Sequence, residues 1–177
     1  MKIAITGHTA GIGRALAEEY TLDGHEVVGL SQREGNNIRN TLKICDKIEP
    51  CDVFVNNAQA GYAQTELLFE MAKRWAGSGK RIIVISTQMT QEPVAFDQSL
   101  DQYRIQKLSL EQAVQQLRNR QLGLRITLVR PGNIATSADK TVPLSADPSN
   151  WARTLLDLWD MAERNNLRIP DISLGPA

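Results

Sequence analysis

The sequence predicts an α/β fold, a doubly wound parallel sheet of about seven strands with helices on both faces. Short apolar runs of strand length alternate along the chain with longer amphipathic stretches, the order that βαβ units require. A glycine-rich segment, residues 7–13, joins the first apolar run to the first amphipathic stretch. Because no repeat or low-complexity linker interrupts the 177 residues, we expect a single domain, 1–177, that includes the functional site.

The first half of the chain is predicted to hold four strands and two helices. Short runs of apolar, often β-branched residues predict the strands: Lys2–Thr6, Glu26–Ser31, the very short Asn36–Ile38, and Asp52–Asn56. Apolar side chains at helical spacing predict the helices: Gly11–Leu22 and Thr41–Ile48. Asp23-Gly24 follows the first helix, and Glu49-Pro50 ends the second.

The second half is predicted to alternate three helices with three strands. The helices are predicted over Glu66–Trp75, Asp101–Gln121 and Ser149–Arg164. The strands are predicted over Arg81–Ser86, Leu124–Arg130 and Leu167–Leu174. Gly123 stands where the C-cap of the longest helix is expected, and Pro131-Gly132 ends the next strand.

Charge and composition argue against several classes of partner. Twenty basic residues balance twenty acidic ones, so no net field favours nucleic acid or an anionic membrane. Apolar runs such as Ile82–Ile85 are far shorter than a membrane span, and the first strand leaves no room for a signal peptide. Cys45 and Cys51 have no His or Cys cluster near them. We therefore expect free thiols, no metal and a cytoplasmic location.

The segment Thr6-Gly7-His8-Thr9-Ala10-Gly11-Ile12-Gly13 lies between the first predicted strand and helix. Glycines at this point permit a tight turn and let the backbone approach a pyrophosphate. The helix N-terminus behind them offers unpaired N–H groups and a partial positive charge. The segment therefore predicts a dinucleotide site, although glycines also occur in plain strand-to-helix turns. His8 is expected as an exposed loop residue.

The end of the second predicted strand indicates which dinucleotide is bound. An Asp or Glu there would hold a free ribose 2′-hydroxyl, but the sequence has Ser31, Gln32 and Arg33, and Glu34 follows only afterwards. A hydroxyl, an amide and a guanidinium suit a 2′-phosphate. We therefore expect NADP(H) rather than NAD(H). The alternative is that Arg33 is only a solvated loop cation.

Four further motifs follow in order. Asn56-Asn57-Ala58-Gln59 follows the fourth predicted strand, Ser86 ends the fifth, Tyr103 and Lys107 lie on the long helix, and Pro131-Gly132-Asn133-Ile134-Ala135-Thr136 follows the sixth strand. With the glycine turn, this set resembles the short-chain dehydrogenase/reductase family, whose motifs are TGxxxGxG, NNAG, a Ser, YxxxK and PGxxxT. The resemblance covers nearly the whole chain.

Tyr103 and Lys107 are four residues apart and therefore share one helix face. A neighbouring ammonium favours the phenolate, so Lys107 is expected to lower the pKa of Tyr103 towards the working range of an acid/base. Ser86 is expected to hold the carbonyl oxygen that Tyr103 protonates, with Thr87 and Thr90 as nearby alternatives. The resemblance implies that Lys107 also binds the nicotinamide ribose. Otherwise Tyr103 is a packing residue and Lys107 is solvated.

The resemblance also implies cofactor contacts elsewhere. Ile134 and Thr136 would contact the nicotinamide carboxamide, Asn37 and Ile38 would flank the adenine, and residues 57–59 would line the ribose. The alternative is that Asn36 and Asn37 are simple turn residues. The expected catalytic residues are Ser86, Tyr103 and Lys107. The expected cofactor-binding residues are Gly7, Thr9, Ala10, Gly11, Ile12, Gly13, Ser31, Gln32, Arg33, Asn37, Ile38, Asn57, Ala58, Gln59, Tyr103, Lys107, Pro131, Gly132, Ile134 and Thr136.

The sequence departs from the family pattern at several positions. Gln59 replaces a Gly, and Gln106 replaces the Ser common before the motif Lys. No counterpart of the family's helical Asn lies between residues 61 and 79, so Gln59, Gln64 or a water molecule is expected to stand in. The segment after Thr136 is short, and the loop around residues 88–102, with Phe96, is expected to supply part of the pocket wall.

These features predict an NADP(H)-dependent oxidoreductase that acts on a small carbonyl or alcohol. The alternatives are a catalytically weak or inactive dinucleotide sensor or scaffold, and a dehydratase or epimerase that uses the same Tyr. The resemblance implies a homodimer or homotetramer formed through the long helix. Burial within the monomer would explain that helix's apolar residues equally well: Leu108, Leu110, Val114 and Leu117.

Overall fold

The computed structural model describes residues 1–91, 100–135 and 145–176. Its strands are β1 (Lys2–Thr6), β2 (Glu26–Leu30), β3 (Val53–Asn56), β4 (Arg81–Ile85), β5 (Arg125–Pro131) and β6 (Asp171–Leu174). Within these residues the strands form one parallel sheet in the order β2-β1-β3-β4-β5-β6. In the sheet β2 lies on one side of β1 and β3 lies on the other, so the direction in which strands are added reverses after β2. The carboxyl ends of β1 and β3 therefore meet at the switch point where such sheets bind ligands.

Helices cover both faces of the sheet, as the sequence predicts. They are α1 (Gly11–Leu22), α2 (Thr41–Ile48), α3 (Ala63–Arg74), α4 (Asp101–Asn119) and α5 (Pro148–Arg164). One buried cluster joins α1 and α5 to one face of the sheet, and a second joins α2, α3 and α4 to the other face. Alternate residues of each strand enter opposite clusters, as Ile83 and Val84 of β4 do.

The predicted strand at Asn36–Ile38 is wrong, and the described residues contain six strands rather than about seven. This segment is a turn in which the Asn40 N–H donates to the Asn37 carbonyl at 3.0 Å. Asn36 is anchored locally, since its N–H donates to the Ser31 carbonyl at 2.9 Å and its Oδ1 accepts from Lys47 Nζ at 2.6 Å. The Asn36 N–H and the Asn37 carbonyl are thus hydrogen-bonded locally and do not pair with a neighbouring strand.

Some element boundaries also differ from the prediction. Helix α3 begins at Ala63, three residues before the predicted start, and so includes Gln64. Helix α4 ends at Asn119 with Arg120 as its C-cap, so Gly123 is not the cap. Gly123 instead lies in the following turn at φ +66°, where an added Cβ would be 3.3 Å from the Gly77 Cα. The Gly thus permits a close approach of two loops.

Two further features concern the described part of the chain. None of its helices combines the length and the apolar character needed to cross a membrane. Cys45 and Cys51 are both buried as free thiols.

Candidate active site

The turn between β1 and α1 is shaped by close contacts that only glycine allows. An added Cβ at Gly13 would lie 2.3 Å from the Gly7 carbonyl oxygen and 2.6 Å from Asn57 Nδ2. Gly7 has φ +74°, in the left-handed region. Asn57 ties the end of β3 to the turn, since its Nδ2 donates to the Thr6 carbonyl at 2.9 Å. The first turn of α1 thus packs directly on the loop, a backbone cradle that fits a pyrophosphate.

A cleft of about 510 Å³ lies beside this turn at the ends of β1, β2 and β3. Its lining residues are Gly7, Thr9, Ala10, Leu30, Ser31, Gln32, Arg33, Asn36, Asn37, Ile38, Ala58, Gln59 and Ala60. Among these described lining residues there is no Asp or Glu. Glu34 instead faces His8, with its Oε2 3.4 Å from His8 Nε2. The cleft brings together most of the residues expected to hold the adenosine half of a dinucleotide.

Ser31 is held in place at the wall of this cleft. It is buried, and its Oγ lies 3.2 Å from Thr9 Oγ1 and accepts the Arg33 N–H at 3.1 Å. The bond caps the short 3₁₀ turn Gln32–Glu34, which carries Arg33 out to solvent. The turn therefore presents a hydroxyl, an amide and a guanidinium to the cleft.

A second pocket of about 250 Å³ lies at the ends of β4 and β5. Its lining residues are Ile12, Asn57, Gln59, Ile85, Ser86, Thr87, Tyr103, Lys107, Pro131, Gly132, Asn133 and Ile134. The pocket brings the three residues predicted as catalytic to one place. Gln59 lines both this pocket and the larger cleft, so the two share a wall.

Lys107 is buried, with a side-chain nitrogen that has two protein partners. Its Nζ donates to Gln64 Oε1 and to the Ile85 carbonyl, both at 2.9 Å, and lies 5.6 Å from the centre of the Tyr103 ring. Burial lowers the pKa of Lys107 to about 8, although the charge of Glu111 acts in the opposite direction. The ammonium is thus close to releasing a proton near neutral pH.

Tyr103 does not have the lowered pKa that the sequence predicts. Burial raises the pKa of its phenol, and a hydrogen bond with the Thr87 side chain acts against that rise. Lys107 does not offset this rise, since its two described hydrogen bonds go to Gln64 and Ile85 rather than to the phenol. The phenol of Tyr103 is therefore protonated at neutral pH.

Gln64 takes the position beside Lys107 for which the sequence leaves several candidates. It is buried, and its Nε2 donates to the Asn56 carbonyl at 2.7 Å and to the Ile85 carbonyl at 3.0 Å. Gln59, another candidate, instead hydrogen-bonds Gln106. This bond joins the segment after β3 to α4.

Ser86 has a partner that the sequence analysis does not identify. Its Oγ donates to Glu111 Oε1 at 2.5 Å. Glu111 lies four residues after Lys107 on α4 and so shares its helix face. This spacing is the sequence feature that could have indicated Glu111 as a residue of the site. Arg130 of β5 holds the other oxygen of the carboxylate.

The remaining predicted residues are placed as follows. Pro131, Gly132 and Ile134 line the second pocket, and Gly11 and Ile12 form the start of α1. An added Cβ at Gly132 would lie 2.6 Å from Gln88 Oε1 and 2.7 Å from the Gly175 Cα, so this turn also requires glycine. Thr136 and Phe96 lie outside the described residues.

Comparison with known proteins identifies the fold. No protein-family model and no curated protein matches the sequence. Many solved structures match the fold. A short-chain dehydrogenase from Streptomyces avermitilis superposes with a TM-score of 0.76 at 17% identity, covering 98% of this chain and 88% of its own. An alcohol dehydrogenase from Thermococcus sibiricus, complexed with 5-hydroxy-NADP, gives 0.75 at 16% identity, covering 99% and 96%.

The third is the 3-alpha-hydroxysteroid dehydrogenase from Pseudomonas sp. B-0831, complexed with NADH. It superposes with a TM-score of 0.66 at 19% identity, covering 98% of this chain and 94% of its own. The matched structures thus include complexes with both nicotinamide dinucleotides. Each match extends over nearly the whole length of this chain and over most of the matched chain. The chain therefore has the fold of the short-chain dehydrogenase/reductases.

Proposed function

We propose that this protein is an NADP(H)-dependent oxidoreductase that acts on a small carbonyl or alcohol substrate, with Tyr103 as its acid/base. The observation that carries the proposal is the pocket at the ends of β4 and β5, where Ser86, Tyr103 and Lys107 meet. This pocket shares a wall with the cleft beside the glycine turn. A dinucleotide across that wall would bring its reactive end to the phenol of Tyr103.

In this proposal each side chain has a defined task. Bound NADPH supplies hydride from its nicotinamide ring. During reduction Tyr103 donates its phenol proton to the substrate oxygen, and during oxidation it takes the proton back. Lys107 binds the nicotinamide ribose, and Gln64 and Ile85 fix the direction of its amine.

The preference for NADP(H) has its support in the cleft beside β2. Arg33 and Gln32 line it together with Ser31, whereas Glu34 is engaged with His8. A guanidinium can bind a 2′-phosphate by charge-assisted hydrogen bonds, and a carboxylate at the same place would repel it. NADPH is therefore expected to bind more tightly than NADH.

We also propose that the protein associates through α4 as a homodimer or homotetramer. Leu110, Val114 and Leu117 are buried within the chain, but Ile105 and Leu108 remain 55% and 39% exposed. Light scattering is expected to give a multiple of the chain mass, and a monomer at micromolar concentration would contradict this proposal. The two buried thiols, Cys45 and Cys51, suit the reducing cytoplasm in which we expect the protein to work.

The function is tested by following NADPH consumption over a panel of aldehydes, ketones and quinones. Binding of NADPH and NADH is measured in parallel by calorimetry. Turnover of at least one substrate class supports an oxidoreductase. Tight NADPH binding without turnover of any member would favour the alternative of a dinucleotide sensor or scaffold.

A further inference from the structure

A largely buried ion pair, Glu111 and Arg130, is hydrogen-bonded to Ser86 of the second pocket. Glu111 and Arg130 are each only 12% exposed in their side chains. Arg130 donates to Glu111 Oε2 through Nε at 3.0 Å and through a terminal nitrogen at 2.7 Å. Arg130 also contacts Asp171 at 3.3 Å, so β5, β6 and α4 are joined at this point. The carboxylate is therefore held in one orientation, with Oε1 directed towards the ends of β4 and the following turn.

That free oxygen of Glu111 receives two hydroxyl groups. Ser86 Oγ lies 2.5 Å from Oε1, and Thr90 Oγ1 lies 2.7 Å from Oε1 and 2.8 Å from the Thr87 carbonyl oxygen. An ionised carboxylate only accepts hydrogen bonds, and a serine hydroxyl has a single proton. The Ser86 proton is therefore directed at Glu111, and the Ser86 oxygen faces its other neighbours only as an acceptor. A substrate carbonyl oxygen is also only an acceptor, so it gains nothing from Ser86 in this arrangement.

Thr87, the next residue, has the opposite hydrogen-bond arrangement. Its Oγ1 accepts the Met89 N–H at 3.3 Å, which occupies a lone pair and leaves the hydroxyl proton available. The side chain is largely buried and lines the pocket together with Tyr103 and Lys107. Its hydroxyl also acts to lower the pKa of Tyr103, against the rise that burial causes. Thr87 is thus placed to donate to the phenol oxygen, or to an oxygen bound beside it.

From these contacts, and on the basis of the proposed function, we infer that Thr87 supplies the second hydroxyl proton of the site, while Glu111 binds the proton of Ser86. Thr87 donates either to the Tyr103 oxygen or to the substrate oxygen next to it. Glu111 is a positioning residue that acts through Ser86, and Arg130 holds its carboxylate in one orientation. This arrangement reverses the expectation that Ser86 holds the carbonyl oxygen.

The first test needs neither substrate nor cofactor. The ultraviolet absorbance of the phenolate is titrated in the wild-type protein and in variants, and the signal of Tyr103 is isolated by subtracting the same titration of Tyr103→Phe. Thr87→Val preserves the side-chain shape but removes the donor, so the pKa of Tyr103 is expected to rise. Thr87→Ser is expected to keep the wild-type value. An unchanged pKa in Thr87→Val, with a raised one in Ser86→Ala, would overturn the inference.

The second test uses kinetics with a substrate found in the NADPH panel. Removal of a hydrogen-bond donor to a developing oxyanion typically costs about 10²–10³ in kcat. Thr87→Val is therefore expected to lose roughly that factor, to be restored largely by Thr87→Ser, and to lose more than Ser86→Ala does. A larger loss in Ser86→Ala than in Thr87→Val would contradict the assignment.

A double-mutant cycle tests the part played by Glu111. Glu111→Gln can present an amide N–H to Ser86, which releases the serine proton for donation into the pocket. In the Glu111→Gln background, Thr87→Val is then expected to cost less kcat than in the wild-type background. An equal loss of kcat on Thr87→Val in both backgrounds would show that Glu111 does not act through Ser86. If no substrate is turned over at all, the proposed function fails, whereas the phenolate titration still decides the inference.

Discussion

Lys107 Nζ donates to Gln64 Oε1 over 2.9 Å inside the protein, where both side chains are almost completely buried. The same glutamine donates from Nε2 to the carbonyls that end β3 and β4, Asn56 and Ile85. Gln64 therefore links the amine to two adjacent strand ends. The position of Lys107 in the proposed site is set by α3 and the sheet, as well as by its own helix.

The stability of the protein is expected to depend on pH through Lys107. The pKa of this residue is about 8 in the folded protein and about 10.5 in the unfolded chain, so between these values the unfolded chain binds more protons. Stability therefore rises with pH across this window. The gain from this group is on the order of 3 kcal/mol when the whole shift is counted.

Chemical denaturation of the wild type and of Lys107→Met at pH values from 7 to about 10.5 measures this contribution, because shared titrations cancel in the difference. The difference, wild type minus variant, is expected to increase as the pH rises. A difference independent of pH would show that Lys107 is not held with a lowered pKa.

Replacement of Gln64 by Glu is expected to raise the pKa of Lys107, since a carboxylate beside the ammonium favours the charged form. The proposal has Lys107 bind the nicotinamide ribose, and the ammonium is a stronger donor to a ribose hydroxyl than the neutral amine, so NADPH affinity should persist to higher pH than in the wild type. Affinity is measured as a function of pH by calorimetry. Gln102→Glu adds the same charge at an exposed position of α4 and is the matched control. Equal shifts in both variants would argue against a specific contact.

Replacement of Arg33 by Ala is expected to weaken NADPH binding about tenfold or more, and to change NADH binding little. A hydrogen bond to a charged group contributes about 1.5–3 kcal/mol when it is shielded, and Arg33 is exposed, so the effect should lie at the low end. Arg39→Ala removes an exposed cation near by that does not line the cleft. Comparable losses in both variants would indicate only a general charge effect.

Replacement of Gly13 by Ala is expected to abolish dinucleotide binding at measurable concentrations, because the new Cβ would collide with the Gly7 carbonyl oxygen. The overpacking should also cost about 1–3 kcal/mol of stability. Gly24→Ala is the control, since its Cβ meets no atom within 4 Å and only the left-handed backbone at φ +78° is strained. Both variants are compared by thermal unfolding and by NADPH titration, and retained binding in Gly13→Ala would exclude the proposed cradle.

The sequence predicts the framework of this fold well because its signals are local. The glycine turn and the apolar runs of β1, β4 and β5 follow from periodicity and turn chemistry alone. Asn36–Ile38 was predicted wrongly since a short segment with polar residues has no period to measure, and its backbone groups found local partners. The order of the strands at the switch point then brings Ser86, Tyr103 and Lys107 to one pocket.

The partners of these three residues could be predicted only in part, because they depend on contacts between distant segments. Gln64 stood outside the predicted helix, which begins earlier than expected. Glu111 has the pattern of a solvated charge on an amphipathic helix, whereas its side chain is only 12% exposed and pairs with Arg130 of β5. The pKa of Tyr103 was expected to fall because helix spacing places Lys107 beside it, whereas burial, which spacing does not reveal, raises it.

The central claim is that Tyr103 transfers the proton in an NADPH-dependent reduction. It is tested most directly by the single-turnover rate of NADPH oxidation in Tyr103→Phe, with Tyr62→Phe as a control at an exposed tyrosine. The account predicts a loss of about 10²–10⁴ in rate for Tyr103→Phe with NADPH affinity retained, and wild-type behaviour for Tyr62→Phe. A Tyr103→Phe variant that oxidises NADPH at the wild-type rate would contradict it.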